Sequence, residues 1–115
     1  MPAAKLDLTV EQGATFRHVL TLRAGTVPYD LTGHVARMQL RADVRSPTAL
    51  LELTSENGRL IIDALAGKIT LVIDATTTAG MTFGTAIYDL EIEAADGTVT
   101  RLVQGKVRVL PEVTR

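Results

Sequence analysis

Residues 88–103 read Tyr88-Asp89-Leu90-Glu91-Ile92-Glu93-Ala94-Ala95-Asp96-Gly97-Thr98-Val99-Thr100-Arg101-Leu102-Val103. Apolar and acidic residues alternate along the first arm, the period-two mark of a half-buried strand. An Asp-Gly turn follows, and a β-branched arm returns. A two-residue loop at Asp96-Gly97 would set Glu91 against Leu102 and mix the two faces. A three-residue loop, Ala95-Asp96-Gly97, instead pairs Leu90 with Leu102 and Glu91 with Arg101. One slip of register moves every side chain to the other face, so the second pairing is expected. It requires Gly97 in the left-handed region, as a G1 bulge. Further along, the apolar phase moves from Leu102 to Val107 and Val109. Gly105 lies at that shift and is the expected site of a second bulge.

The same alternation extends outward from the hairpin. Leu6, Leu8 and Val10 alternate with Asp7 and Thr9 up to Gln12-Gly13. Phe16, His18, Leu20 and Leu22 share one face, with Arg17, Val19, Thr21 and Arg23 opposite. Pro28 to Gly33 is a loop with a turn signal at each end. From Val35 to Arg41 the residues Ala36, Met38 and Leu40 point inward and Arg37, Gln39 and Arg41 outward. Ser46-Pro47 interrupts the chain, Leu50 to Leu53 is a short strand, and Asn57-Gly58 turns into Leu60 to Ile62. Lys68 to Asp74 sets Ile69, Leu71 and Ile73 on one face. Asp74 to Gly80 is the one candidate helix, a single turn that Asp74 or a threonine caps and Gly80 ends. These spacings predict an all-β fold. Its expected form is an antiparallel immunoglobulin-like β-sandwich of seven to eight strands with at most one short helical turn.

Composition narrows the function classes. With 115 residues, 46% of them hydrophobic, the expectation is one β-sandwich domain spanning 1–115. Twelve basic and 13 acidic residues are scattered to a net charge of −1, without the basic stripe that nucleic acid demands. Cysteine is absent, which excludes disulfides and thiolate metal sites. Met1-Pro2-Ala3-Ala4-Lys5 leads straight into alternating sequence without the apolar core of a signal peptide, and no apolar run is long enough to cross a membrane. Synthesis and folding in the bacterial cytoplasm are expected, with neither membrane nor nucleic acid as partner.

No catalytic, cofactor or metal site is expected. Asp89, Glu91 and Glu93 lie at i, i+2 and i+4, which suits either a cation site or a solvated stripe paired with Arg101, Arg37 and Arg41. Cross-strand pairing is an ordinary sheet device, so the stripe is read as structural. His18 and His34 lack ligand spacing; a partly buried His18 and an exposed His34 are expected. There is no nucleophile elbow, and Gly80 to Gly84 lacks the lysine of a phosphate loop. Sugar binding would need exposed aromatic platforms. Phe16 and Tyr88 read as core, leaving Tyr29 and Phe83 on loops, where packing is again the expected role.

The order of the turn and strand signatures carries a resemblance. Val10-Glu11-Gln12-Gly13-Ala14-Thr15-Phe16 opens it, followed by Tyr29-Asp30-Leu31-Thr32-Gly33, Leu51-Glu52-Leu53-Thr54 and Gly67-Lys68-Ile69-Thr70-Leu71. Tyr88-Asp89-Leu90-Glu91 and Val109-Leu110-Pro111-Glu112-Val113-Thr114-Arg115 complete it. The chain resembles small phage and prophage tail-region structural proteins, and is similar in layout to the N-terminal domain of phage baseplate upper proteins. The resemblance implies a non-enzymatic virion component of the tail or baseplate that acts as an assembly or adaptor module. It transfers no catalytic residues. The alternative expectation is an immunoglobulin-like interaction or adhesion module of a bacterial surface protein, with carbohydrate contact included. For a tail component the expected partners are other virion proteins, and a homo-oligomer is expected. The apolar load of two connections, with Tyr29 and Leu31 in one and Met81 and Phe83 in the other, either plugs the ends of the sandwich or forms an interaction surface.

Overall fold

The computed structural model describes residues 3–114. Eight strands of four residues or more form its body: β2 (Leu8–Glu11), β3 (Phe16–Thr21), β6 (Val35–Arg41), β7 (Leu51–Thr54), β8 (Leu60–Asp63), β9 (Lys68–Ile73), β10 (Thr85–Glu93) and β11 (Val99–Leu110). Three two-residue strands, β1 (Ala4–Lys5), β4 (Arg23–Ala24) and β5 (Val27–Pro28), and one helical turn, α1 (Ala75–Ala79), complete the order. The fold is all-β.

Two larger sheets result. One runs β1-β11-β10-β6-β7, with β2 continuing along the same edge of β11 as β1; the other runs β3-β9-β8. Their inward residues meet in one buried cluster: Met38, Leu40, Leu90 and Ile92 from the first, and Leu60, Ile69, Leu71 and Ile73 from the second. Each fully buried aliphatic side chain contributes roughly 1.5–3 kcal/mol relative to exposure. The alternation of β6, with Ala36, Met38 and Leu40 buried and Arg37, Gln39 and Arg41 half-exposed, is the one its sequence shows.

The β10–β11 hairpin keeps the expected loop and departs from the expected register beyond it. Ala94 N donates to Thr98 O at 2.9 Å and Gly97 N to Ala94 O at 2.9 Å, closing a three-residue loop with Gly97 at φ +91°. Glu91 sits opposite Arg101, as face matching requires. Leu90, however, sits opposite Val103, not Leu102, because the register shifts between Leu90 and Glu91. Leu102 is the extra residue. That single bulge moves the apolar phase to Val103, Val107 and Val109, all buried.

Gly105 is therefore not a bulge: it pairs in continuous register with Tyr88. A Cβ at this position would overlap the carbonyl oxygen of Leu6. Glycine serves a close backbone approach here, the other role it plays inside strands.

The N-terminal strand corrects a second expectation. The sheet is mixed, because both β1 and β2 run parallel to β11, Ala4 against Val103 and Val10 against Val109. Between them the chain lifts over Gly105. Leu6 N donates to Gln104 O at 2.9 Å, and the Asp7 carboxylate accepts Lys106 N at 3.0 Å, so a side chain fills the gap in the ladder. Every other strand pair is antiparallel.

Helix α1 forms as its cap predicts. Asp74 Oδ2 accepts Thr77 N at 3.3 Å and Gly80 ends the turn. Thr78, fully buried, donates from its hydroxyl to Ala14 O at 2.8 Å and accepts Gly13 N at 3.1 Å. The turn is thereby pinned to the β2–β3 connection.

Candidate functional site

The acidic stripe of β10 lies on the outer face of the larger sheet, between β6 and β11. Arg37 sits opposite Glu91 on β6 and reaches two carboxylates, Glu91 at 3.0 Å and Glu93 at 2.8 Å. These bonds, Glu93 first and Glu91 second, hold the Arg37 guanidinium above its already high ordinary pKa. Arg101 pairs diagonally with Asp89 at 3.4 Å, although its backbone partner is Glu91. Arg41 does not join the stripe: it donates to Ser46 O and Gln39 Oε1, both at 2.7 Å. All three acids thus have arginine partners, which suits a solvated sheet face, where such pairs contribute modestly.

The histidines lie apart in role. His18 is half-buried on β3 opposite Leu71. His34, expected to be exposed, is half-buried: its Nδ1 lies 3.3 Å from Thr32 O and its ring meets Tyr29 edge-on at 6.2 Å. Among the described residues no three His, Asp or Glu side chains gather as metal ligands, and no helix is long and apolar enough to cross a membrane.

The four loop residues separate into core and surface. Leu31 is 1% and Met81 4% exposed, so both side chains pack in the chain's own core, as the plug reading has it. The polar backbone around them is satisfied locally, with Leu31 N bonded to Ala64 O and Met81 N to Thr78 O, both at 3.0 Å, which lets these connections turn inward. Phe83 is half-buried against the same core. Tyr29 alone stays exposed, at 37%. Phe16 and Tyr88 read correctly as core-packed, half-buried and buried respectively.

Two grooves open beside these features. One, of about 670 Å³, follows the outer face of the larger sheet past Arg41, Ile87, Asp89, Arg101 and Lys106. The other, of about 410 Å³, is mainly apolar and runs between the β3–β4 segment and β11, lined by Leu6, Leu20, Leu22, Tyr29 and Leu102. Gly67 shapes its flank: at φ +66° it accepts Leu22 N at 2.7 Å through its carbonyl, and a Cβ there would lie 2.6 Å from Leu22 O.

Sequence reasoning missed Gln12. Its Nε2 donates to Ala79 O and Met81 O, each at 3.3 Å, and its Oε1 accepts Glu112 N at 3.0 Å. One side chain thus ties the end of α1 to the C-terminal segment. Its partners lie 67 to 100 positions away, so no periodic signal marks it.

No protein-family model matches the chain, and no curated protein matches it.

Proposed function

We propose that this chain is a non-enzymatic structural module of a phage or prophage particle, in the tail or baseplate region, built as an immunoglobulin-like β-sandwich. The observation that carries the functional reading is the ordered resemblance to the N-terminal domain of baseplate upper proteins. Three of its signatures fall on structural junctions, while Leu51–Thr54 is β7 itself and Tyr88–Glu91 lies within β10. Val10–Phe16 turns from β2 into β3, Tyr29–Gly33 leads into β6 through a turn in which the Asp30 carboxylate accepts Thr32 N, and Gly67–Leu71 opens β9. The strand orders support the architecture: β3-β9-β8 corresponds to B-E-D and β11-β10-β6-β7 to G-F-C-C′ of the immunoglobulin layout. As such a module it would assemble with other virion proteins or further copies of the chain. Assembly would take place in the bacterial cytoplasm, and the finished chain would reside in the virion.

Deletion of the coding sequence from the genome that carries it tests this reading. Electron microscopy should show particles with missing or incomplete tails, restored by the chain supplied in trans. Complete, infective particles from the deletion strain would refute it.

A further inference from the structure

The longest unguarded edge of the molecule borders its apolar groove. β3 pairs only with β9, so its other edge carries no strand among the described residues. Across the groove, Val99–Arg101 of β11 pair only with β10 and the bulged Leu102 with neither neighbour, since β1 joins β11 first at Val103. Of the remaining edges of the two larger sheets, β7 and β8 are four residues long and carry Glu52 and Asp63, and the β1–β2 edge is split into strands of two and four residues that carry Lys5 and Glu11. β3 runs six residues, with Arg17 its one charged side chain and no proline. Sheet edges left in this state recruit another strand.

The groove specifies what kind of strand. Leu6, Leu20, Leu22 and Leu102 line it half-exposed, packed against the core but not covered. A strand repeats its side-chain direction about every 6.8 Å, so every second residue of an added strand would enter the groove and should be apolar. Lys5 and Arg23 stand exposed at its rim, and neither makes an ion pair among the described residues. The lining holds these two cations and no acidic side chain, which favours an anionic visitor.

We infer that the groove between β3 and β11 receives an extended segment of a partner protein, alternately apolar and flanked by carboxylates, which adds as a strand to the open edge. Tyr29, the one exposed member of the four loop residues, lies on this groove and would pack along the visitor. The inference deepens the assembly reading and rests on it, but the two fail separately: tail assembly lost on deletion with no peptide bound would overturn the groove alone.

The test is an amide NMR titration of the full chain with a seven-residue synthetic peptide that alternates valine and threonine between terminal glutamates. A lysine-ended counterpart serves as control. The expected result is saturable shifts at Leu20, Leu22, Thr100 and Leu102, with the glutamate-ended peptide binding at least about tenfold more tightly. The double variant Lys5→Glu, Arg23→Glu replaces two exposed side chains, so its fold should persist, as circular dichroism would check, and its preference should reverse. Shifts confined to β7 or β8, equal binding of both peptides, or no saturable shift from either would overturn the inference. Concentration-dependent shifts of the same amides without peptide would assign the groove to a second copy of this chain, overturning the partner segment.

Discussion

The Tyr88 hydroxyl donates to the Leu6 carbonyl oxygen at 2.6 Å, joining the centre of β10 to the N-terminal strand where it lifts over Gly105. Burial, with a smaller push from the Asp7 charge, raises the Tyr88 phenol to about 12. The neutral phenol is therefore the form the fold favours. An unfolded tyrosine ionises near 10, so the unfolded chain releases this proton first and stability falls as pH rises from about 10 toward 12. Urea midpoints measured between pH 9 and 11.5 should decline for the wild type and decline less for Tyr88→Phe. Near neutral pH the same variant should lose about 1 kcal/mol, the usual net worth of such a bond.

Gly105 and Gly97 should respond to alanine for different reasons. At Gly105 a Cβ meets the Leu6 carbonyl, and overpacking of this kind costs about 1–3 kcal/mol. At Gly97 nothing lies within 4 Å, and only the φ of +91° resists, about 1–2 kcal/mol. Hydrogen exchange separates the two. Gly105→Ala should deprotect Leu6 N and Lys106 N at the parallel edge, whereas Gly97→Ala should fray the amides beside the hairpin loop.

Serine at the loop positions distinguishes plug from surface. Leu31→Ser and Met81→Ser each remove a buried side chain, and truncations to alanine at such sites cost about 2–5 kcal/mol. Tyr29→Ser should change the melting temperature little. Equal losses at all three positions would contradict the division between core and groove.

Acid stability should trace to three aspartates that anchor turns. Asp30 accepts from the hydroxyl and amide of Thr32, Asp74 from the hydroxyl and amide of Thr77, and Asp96 from the amide of Thr98; each carboxyl is held below its usual pKa by these bonds. Depressed values mean stability present above about pH 4 and lost as pH falls through the folded values. Asparagine makes the same turns without titrating. The triple variant Asp30→Asn, Asp74→Asn, Asp96→Asn should keep its fold at neutral pH and lose less stability between pH 5 and 2.5 than the wild type.

Local chemistry was legible wherever a residue's role depends on its neighbours in sequence. The faces of β6, the Asp74 cap and the left-handed Gly97 all follow from spacing and turn chemistry. Pairing across the chain was legible only where faces had to match, as between Glu91 and Arg101. Alternation gives the faces of β1 and β2 but not their partner or direction, so their parallel seat on β11 left no trace. Glycine marks both bulges and close approaches, which is why Gly105 pointed to the wrong one while the bulge fell on Leu102, an ordinary strand residue. Apolar loop residues identify buried loops as readily as exposed patches. Of the four, Leu31 and Met81 are buried, Phe83 is half-buried and Tyr29 is exposed, and the groove Tyr29 borders was not visible in sequence because its walls come from segments up to 99 positions apart.

Quantitative mass spectrometry of gradient-purified particles, from the host whose genome carries the coding sequence, tests the proposed role most directly. The chain should be recovered with the tail proteins, in a fixed ratio to them across preparations and retained after high-salt washing. Particles of full tail composition that contain none of it, with the chain left in the soluble host fraction, would contradict a virion role.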